Sequence, residues 1–122
     1  STFGGYLLGT VVGIYAIKVL EEEKLAEKAK IRGAQLMGHF ENIQSEFSDK
    51  IKEVRGKGLL TAFEMHNDPK LDGHHVCVEL LKQGVYAKET HHTTVRIAPA
   101  LTIETWQIDN IAEAIRNVIN EI

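Results

Sequence analysis

From Ser1 to Ile17 the chain carries no charged residue, and the apolar run then stops at Lys18 and enters Glu21-Glu22-Glu23-Lys24. A helix that crosses a bilayer needs about 20 consecutive apolar residues, so this one is too short and too abruptly charged at its end. A helix that is apolar all round and does not span a membrane has to be covered by protein on every side. Gly5, Gly9 and Gly13 recur at helical spacing, a pattern that lines small residues along one face and lets another backbone approach closely. Two covers remain open: this chain's own sheet, or another subunit or domain seated on the 6–20 helix. A chain of 122 residues has trouble enclosing such a helix completely, so an external cover is expected, either from a homo-oligomer or from a large domain outside these residues.

The mouth of that helix carries possible chemistry. Ser1-Thr2-Phe3-Gly4-Gly5 places two hydroxyls and two glycines just before the apolar run. The first N–H groups of a helix are unpaired and carry partial positive charge, so hydroxyls beside them form a cradle for an anion, and phosphate is the natural guest. Ser1 and Thr2 also fit an ordinary helix cap. Both readings stand on the spacing alone.

A content of 43% hydrophobic and 25% charged residues describes one globular domain over residues 1–122. The net charge is -3, and the 14 Lys and Arg are interspersed with acids, so no basic stripe for nucleic acid forms. The single cysteine, Cys77, excludes an internal disulfide; between Val76 and Val78 it reads as a small core residue. With no leader pattern visible, a cytoplasmic or mitochondrial-matrix location is expected.

Leu25, Ala29, Arg32 or Gly33, Leu36, Phe40 and Ile43 step at helical intervals, predicting a second helix to about Gln44. Arg32 is a blemish on that stripe and is expected to snorkel. Ser45–Asp49 reads as a turn, and residues 51–58 lead into a strand over Leu59–Met65, with Gly56 and Gly58 marking a bend or bulge. Asp72-Gly73 opens a short helix with Val76, Leu80 and Leu81 inward and Gly84 as its terminator. Val85–Lys88 and Thr94–Ala98 read as strands joined by the polar link 89–93. Ile108, Ile111, Ala112, Ile115, Val118, Ile119 and Ile122 then line one face of a last helix. The expected fold class is α/β, as an α+β two-layer sandwich: a small, mostly antiparallel sheet of about three strands, helices on one face, and an apolar N-terminal helix in front. Residues 1–44 make a two-helix segment and 45–122 a strand-helix-strand-strand-helix unit.

Four segments together carry a resemblance. Ser1-Thr2-Phe3-Gly4-Gly5, the run from Val19 to Glu27, Glu53-Val54-Arg55-Gly56-Lys57-Gly58-Leu59, and Lys88-Glu89-Thr90-His91 with Val95-Arg96-Ile97-Ala98-Pro99 resemble the ornithine aminotransferases. These belong to the pyridoxal-phosphate aminotransferase subgroup that also holds the acetylornithine and 4-aminobutyrate enzymes. The resemblance runs from Ser1 to the last helix and corresponds to the C-terminal portion of such an enzyme. It implies that Ser1 and Thr2 bind the cofactor phosphate of a neighbouring subunit and that Arg96 binds a carboxylate of an amino-acid or oxo-acid substrate. A guanidinium presents a rigid two-pronged donor suited to that group. On spacing alone Arg96 also fits a strand-end ion pair. Arg55 is read as part of a structural bend. The family's cofactor-linking lysine matches no lysine here, so a chain inactive by itself is expected. The family's Asn-Pro after the glycine pair is Tyr6-Leu7 in this sequence, and Ala100 replaces a second proline.

Two other readings are carried forward. One is a free-standing or engineered non-catalytic module that self-associates through the 6–20 helix. In the other, His74-His75 and His91-His92 meet as a zinc or nickel site; neither pair has helical i, i+4 ligand spacing, and a surface role is preferred.

Overall fold

Burial alternates along Leu60–Met65, and in the computed structural model, which describes residues 1–122, this segment is a central strand of a four-stranded antiparallel sheet. The strands are β1 (Ile51–Lys57), β2 (Leu60–Met65), β3 (Lys88–Thr90) and β4 (Thr94–Ile97), in the order β1-β2-β4-β3. Thr61, Phe63 and Met65 point to the buried side while Leu60, Ala62 and Glu64 point to the other, as the period of two requires.

The sheet has one strand more than expected. Ile51–Lys57 is not a lead-in but a full partner of β2, with Lys57 opposite Leu60 and Val54 opposite Phe63. Gly58, at φ 57°, turns the chain between them, and the register irregularity lies at the far end, between Ile51 and Glu53. Polar side chains on the open face hid this strand, whose apolar residues are only Ile51 and Val54. β3 also begins three residues later than expected. The Val85 N–H is held by the Leu80 carbonyl at 2.9 Å and the Gly84 N–H by that of Leu81 at 3.0 Å, so this segment closes a helix rather than joining the ladder.

Three helices cover one face: α2 (Leu25–Glu46), α3 (Gly73–Lys82) and α4 (Thr105–Glu121). α2 crosses β1 and β2, α3 crosses β3 and β4, and α4 lies between α2 and α3. Leu36, Phe40, Val76, Leu80, Phe63, Val95, Ile108 and Ile115 form one core, with Phe40 edge-on to Phe63 at 5.8 Å between ring centres. Gly33, not Arg32, faces inward on α2: a Cβ there would collide with the backbone of Gly58, so the helix and the β1–β2 turn touch main chain to main chain. Arg32 lies beside this contact with a buried Nε that has no partner. Leu81 is exposed, not buried, because it follows Leu80 by a rotation of about 100° away from the core.

The remaining helix, α1 (Leu7–Glu22), packs against α2 but has no buried residue. Burial on all sides is therefore not achieved within the chain, and the possibility that its own sheet covers α1 is ruled out. Gly5, at φ 79°, precedes the helix, so the small-residue stripe reduces to Gly9 and Gly13. Glu23 and a left-handed Lys24 break α1 from α2. No helix is long and apolar enough to cross a membrane.

Candidate functional site

The helices cover one side of the sheet and leave the other open, and the antiparallel register decides what that open side presents. Arg55 on β1 lies opposite Ala62 on β2, Ala62 opposite Arg96 on β4, and Arg96 opposite Lys88 on β3. Directly paired residues share a face, so Arg55, Ala62, Arg96 and Lys88 stand in one row, with the two arginines on either side of the Ala62 methyl. Arg96 is exposed while its neighbours Val95 and Ile97 are buried, which fixes the guanidinium on the open side. A shallow depression lined by Arg55, Gly56, Lys57, Leu60, Thr61, Ala62 and Arg96 lies over this row. Its floor is held from behind by the buried Thr61 hydroxyl, which donates to the Ile97 carbonyl at 2.7 Å and ties β2 to β4.

The two guanidinium groups of this face differ in their partners. Arg55 Nη1 donates to Glu64 Oε2 at 2.9 Å and lies 3.6 Å from Glu53 Oε2. Lys52 Nζ donates to the other Glu64 oxygen at 2.9 Å. The hydrogen bond from Lys52, then that from Arg55, holds the Glu64 carboxyl below the usual range, so it stays ionised between its two cations. Arg96 takes part in none of the chain's ion pairs. The strand-end ion pair is therefore absent, and a free, exposed guanidinium on an interior strand can accept a carboxylate in two-pronged geometry. Glu64 was not singled out in the sequence; the signal lay in the i, i+2 series Leu60, Ala62, Glu64, which becomes meaningful only with β1 recognised as its neighbour.

Ser1 and Thr2 are exposed in the turn ahead of α1 and take no part in the depression around Arg96. Neither caps the helix: Tyr6 is the N-cap residue, and no side chain accepts from the first helical N–H groups. The cap reading is thus overturned. The turn is closed by its own backbone, Gly4 N to Ser1 O at 3.3 Å and Tyr6 N to Phe3 O at 3.2 Å. The Ser1 and Thr2 hydroxyls and the uncapped start of α1 are the donors that this end of the chain offers an anion.

The histidine pairs are brought together by backbone alone. Gly73 N–H donates to the His92 carbonyl at 2.7 Å, and His91 and His92 form the β3–β4 turn with φ of 53° and 64°. His74 Nδ1 is 3.4 Å from Glu89 Oε1, but no set of three or more donors that could hold a metal is assembled. Cys77 is buried, and that burial, followed by the Glu89 charge, raises its thiol to about 11, which suits a core residue and not a nucleophile.

Comparison with known proteins gives a consistent result. The family model for "Aminotransferase class-III" matches residues 1–119. The chain is 40% identical over 119 residues to the mitochondrial ornithine aminotransferase of Rattus norvegicus, covering 98% of this chain and 26% of that relative. It is 35% identical to the mitochondrial ornithine aminotransferase of Oryza sativa over 121 residues, again 26% of the relative. Among solved structures, the acetylornithine aminotransferase of Elizabethkingia anophelis superposes with a TM-score of 0.88 at 35% identity, over 100% of this chain and 30% of that one. The ornithine aminotransferase of Toxoplasma gondii gives 0.89 at 33% identity, over 99% and 28%. The chain therefore spans roughly a quarter to a third of the length of the proteins it matches.

Proposed function

Because this chain belongs to the class-III aminotransferase family, we propose that it serves as the C-terminal region of an ornithine-aminotransferase-like enzyme that uses pyridoxal phosphate. Its contributions there are a substrate-carboxylate contact from Arg96 and an edge of the cofactor-phosphate site from Ser1 and Thr2. The carrying observation is Arg96 itself: exposed on β4, flanked by buried residues, and free of any acidic partner. Pyridoxal phosphate, when bound, supplies an electron sink through which an amino group moves between carbon skeletons.

In this reading the sheet does the positioning. Val95 and Ile97 anchor β4 in the core, so the Arg96 backbone is held in place and its side chain leaves the sheet on the open face. Ser1 and Thr2 donate hydroxyl hydrogens to phosphate oxygens, and the uncapped start of α1 adds its backbone dipole. Neither lines the Arg96 depression, which suits a phosphate belonging to a neighbouring subunit. The exposed apolar surface of α1 supports the same arrangement, since Leu7, Leu8, Val12, Ile14 and Tyr15 are each at least half exposed and need a cover. The cover is a second subunit or the cofactor-binding domain.

No lysine of this chain occupies the cofactor-linking position of the family, so residues 1–122 mixed with pyridoxal phosphate are expected to develop no protein-linked absorbance band. A stable band would contradict this division of roles. In the complete enzyme Thr2→Ala is expected to weaken cofactor retention about tenfold, as loss of a hydrogen bond to a charged group does.

A further inference from the structure

Arg96 stands where both of its ladders run out. On one side, Lys88 opposite Arg96 is the last pair of β3 with β4, and on the other only Thr61 opposite Ile97 lies beyond it. β4 ends at Ile97, and Pro99, two residues on, has no N–H with which to prolong a ladder. Strand ends open more readily than strand centres, so a tie placed just beyond Arg96 decides how firmly its backbone is held.

That tie lies on the buried face. One residue along from the row of Arg55, Ala62 and Arg96 runs a second row, Gly56 on β1, Thr61 on β2 and Ile97 on β4. Thr61 and Ile97 are 1% and 2% exposed, and Thr61 is one of only two buried polar residues in the chain, the other being Thr94. A Cβ at Gly56 would stand 2.8 Å from Thr61 Cγ2, 2.8 Å from Met37 Cε and 2.9 Å from the Leu60 carbonyl oxygen, so the missing side chain of Gly56 makes room for the threonine methyl. With the methyl of this β-branched side chain seated toward β1, its hydroxyl faces β4 and donates to the Ile97 carbonyl at 2.7 Å. Both partners are buried within the chain, so the bond does not depend on what covers the open face.

We propose that Thr61 is a positioning residue for carboxylate recognition: its buried hydroxyl pins the end of β4 through the Ile97 carbonyl and so fixes the point from which the Arg96 side chain leaves the sheet. The proposal rests on the reading of Arg96 as a substrate-carboxylate contact and adds the device that aims it. Thr61 acts through the main chain of β4, with Gly56 setting the direction of its hydroxyl.

The test measures the inhibition constant of glutarate, a dicarboxylate with no amino or oxo group to exchange, in the complete enzyme, together with kcat, KM for the oxo-acid substrate and melting temperature. Thr61→Val and Thr61→Ala both remove the donor, the first keeping the volume and the second leaving space. Each is expected to raise KM and the glutarate constant about three- to tenfold, the range for one hydrogen bond, while kcat stays within about twofold. Thr61→Ser keeps the donor and is expected to bring both constants to within about twofold of the parent enzyme. In an Arg96→Ala background Thr61→Val is expected to add no further loss, because the group it positions is gone. A lower melting temperature with unchanged KM and glutarate inhibition in Thr61→Val and Thr61→Ala would overturn the proposal, as would a full additional loss in the Arg96→Ala background. If Arg96→Ala alone leaves glutarate inhibition unchanged, the carboxylate reading of Arg96 falls and the proposal with it; if Arg96→Ala weakens inhibition while Thr61→Val and Thr61→Ala do not, only the positioning role falls.

Discussion

The first and last helices are nearly equal in length, 16 residues for α1 and 17 for α4, and opposite in what the chain does with them. α4 is amphipathic, and six of its residues, Ile108, Ala112, Ala114, Ile115, Val118 and Ile119, are buried. α1 is more apolar along its length and buries none. Apolar content by itself therefore does not decide burial: a stripe matches a single neighbouring surface, whereas an all-round apolar helix needs partners on several sides. α4 is completed by α2, α3 and the sheet, whereas α1 packs against α2 and keeps its apolar surface exposed.

That contrast can be broken or sharpened by substitution. The largest stability effect is expected from Ile115→Ala, which removes a side chain that is 1% exposed where α2, α4 and the sheet converge, at a cost of about 2–5 kcal/mol by urea denaturation. Next comes Gly33→Ala. Helix propensity favours alanine by up to about 1 kcal/mol, but the new methyl meets backbone atoms of Gly58 that cannot rotate away, so a net loss of about 1–3 kcal/mol is expected. A helix start or turn that shifted freely would instead show a gain.

Cys77 tests the packed layer through pH. Its thiol titrates near 9.0 when unperturbed and at about 11 in the fold, so between these values the folded state holds the proton more tightly than the unfolded state. Stability from this group is present in full below pH 9 and is lost as pH rises toward 11. Cys77→Ala is expected to flatten that part of the stability profile, and an unchanged slope would place the thiol in solvent. The smallest effect on folding belongs to α1: Ile14→Glu is expected to change unfolding free energy by no more than about 0.5 kcal/mol, because Ile14 is already 51% exposed. The same substitution should abolish any self-association seen by light scattering, and a large loss of stability in a monomer would show that α1 is packed after all.

The helices of the packed layer were legible because their periodicity is strong: Leu36, Phe40 and Ile43 on α2, and Ile108 through Ile119 on α4, face the core as the spacing requires. β1 was not legible, since half of what it presents is charge for the open face and its evidence lies in pairing with β2. The start of β3 was misplaced because Val85 looks like a strand residue but spends its N–H on closing α3. Arg96 was found as a candidate, and its freedom from an ion pair depends on where Glu64 turns, which only the register of three strands decides. Ser1 and Thr2 were placed at a helix mouth, but the intervening turn, with Gly5 at positive φ, moves them ahead of the cap position.

Kinetics of the complete enzyme with Arg96 replaced test the central claim most directly. Loss of a charge-assisted, two-pronged contact is expected to lower kcat/KM for carboxylate substrates by about 100-fold in Arg96→Ala, with partial recovery in Arg96→Lys and normal cofactor absorbance in both. An unchanged kcat/KM in Arg96→Ala, with the protein folded and the cofactor bound, would contradict the assignment of this open sheet face to substrate recognition.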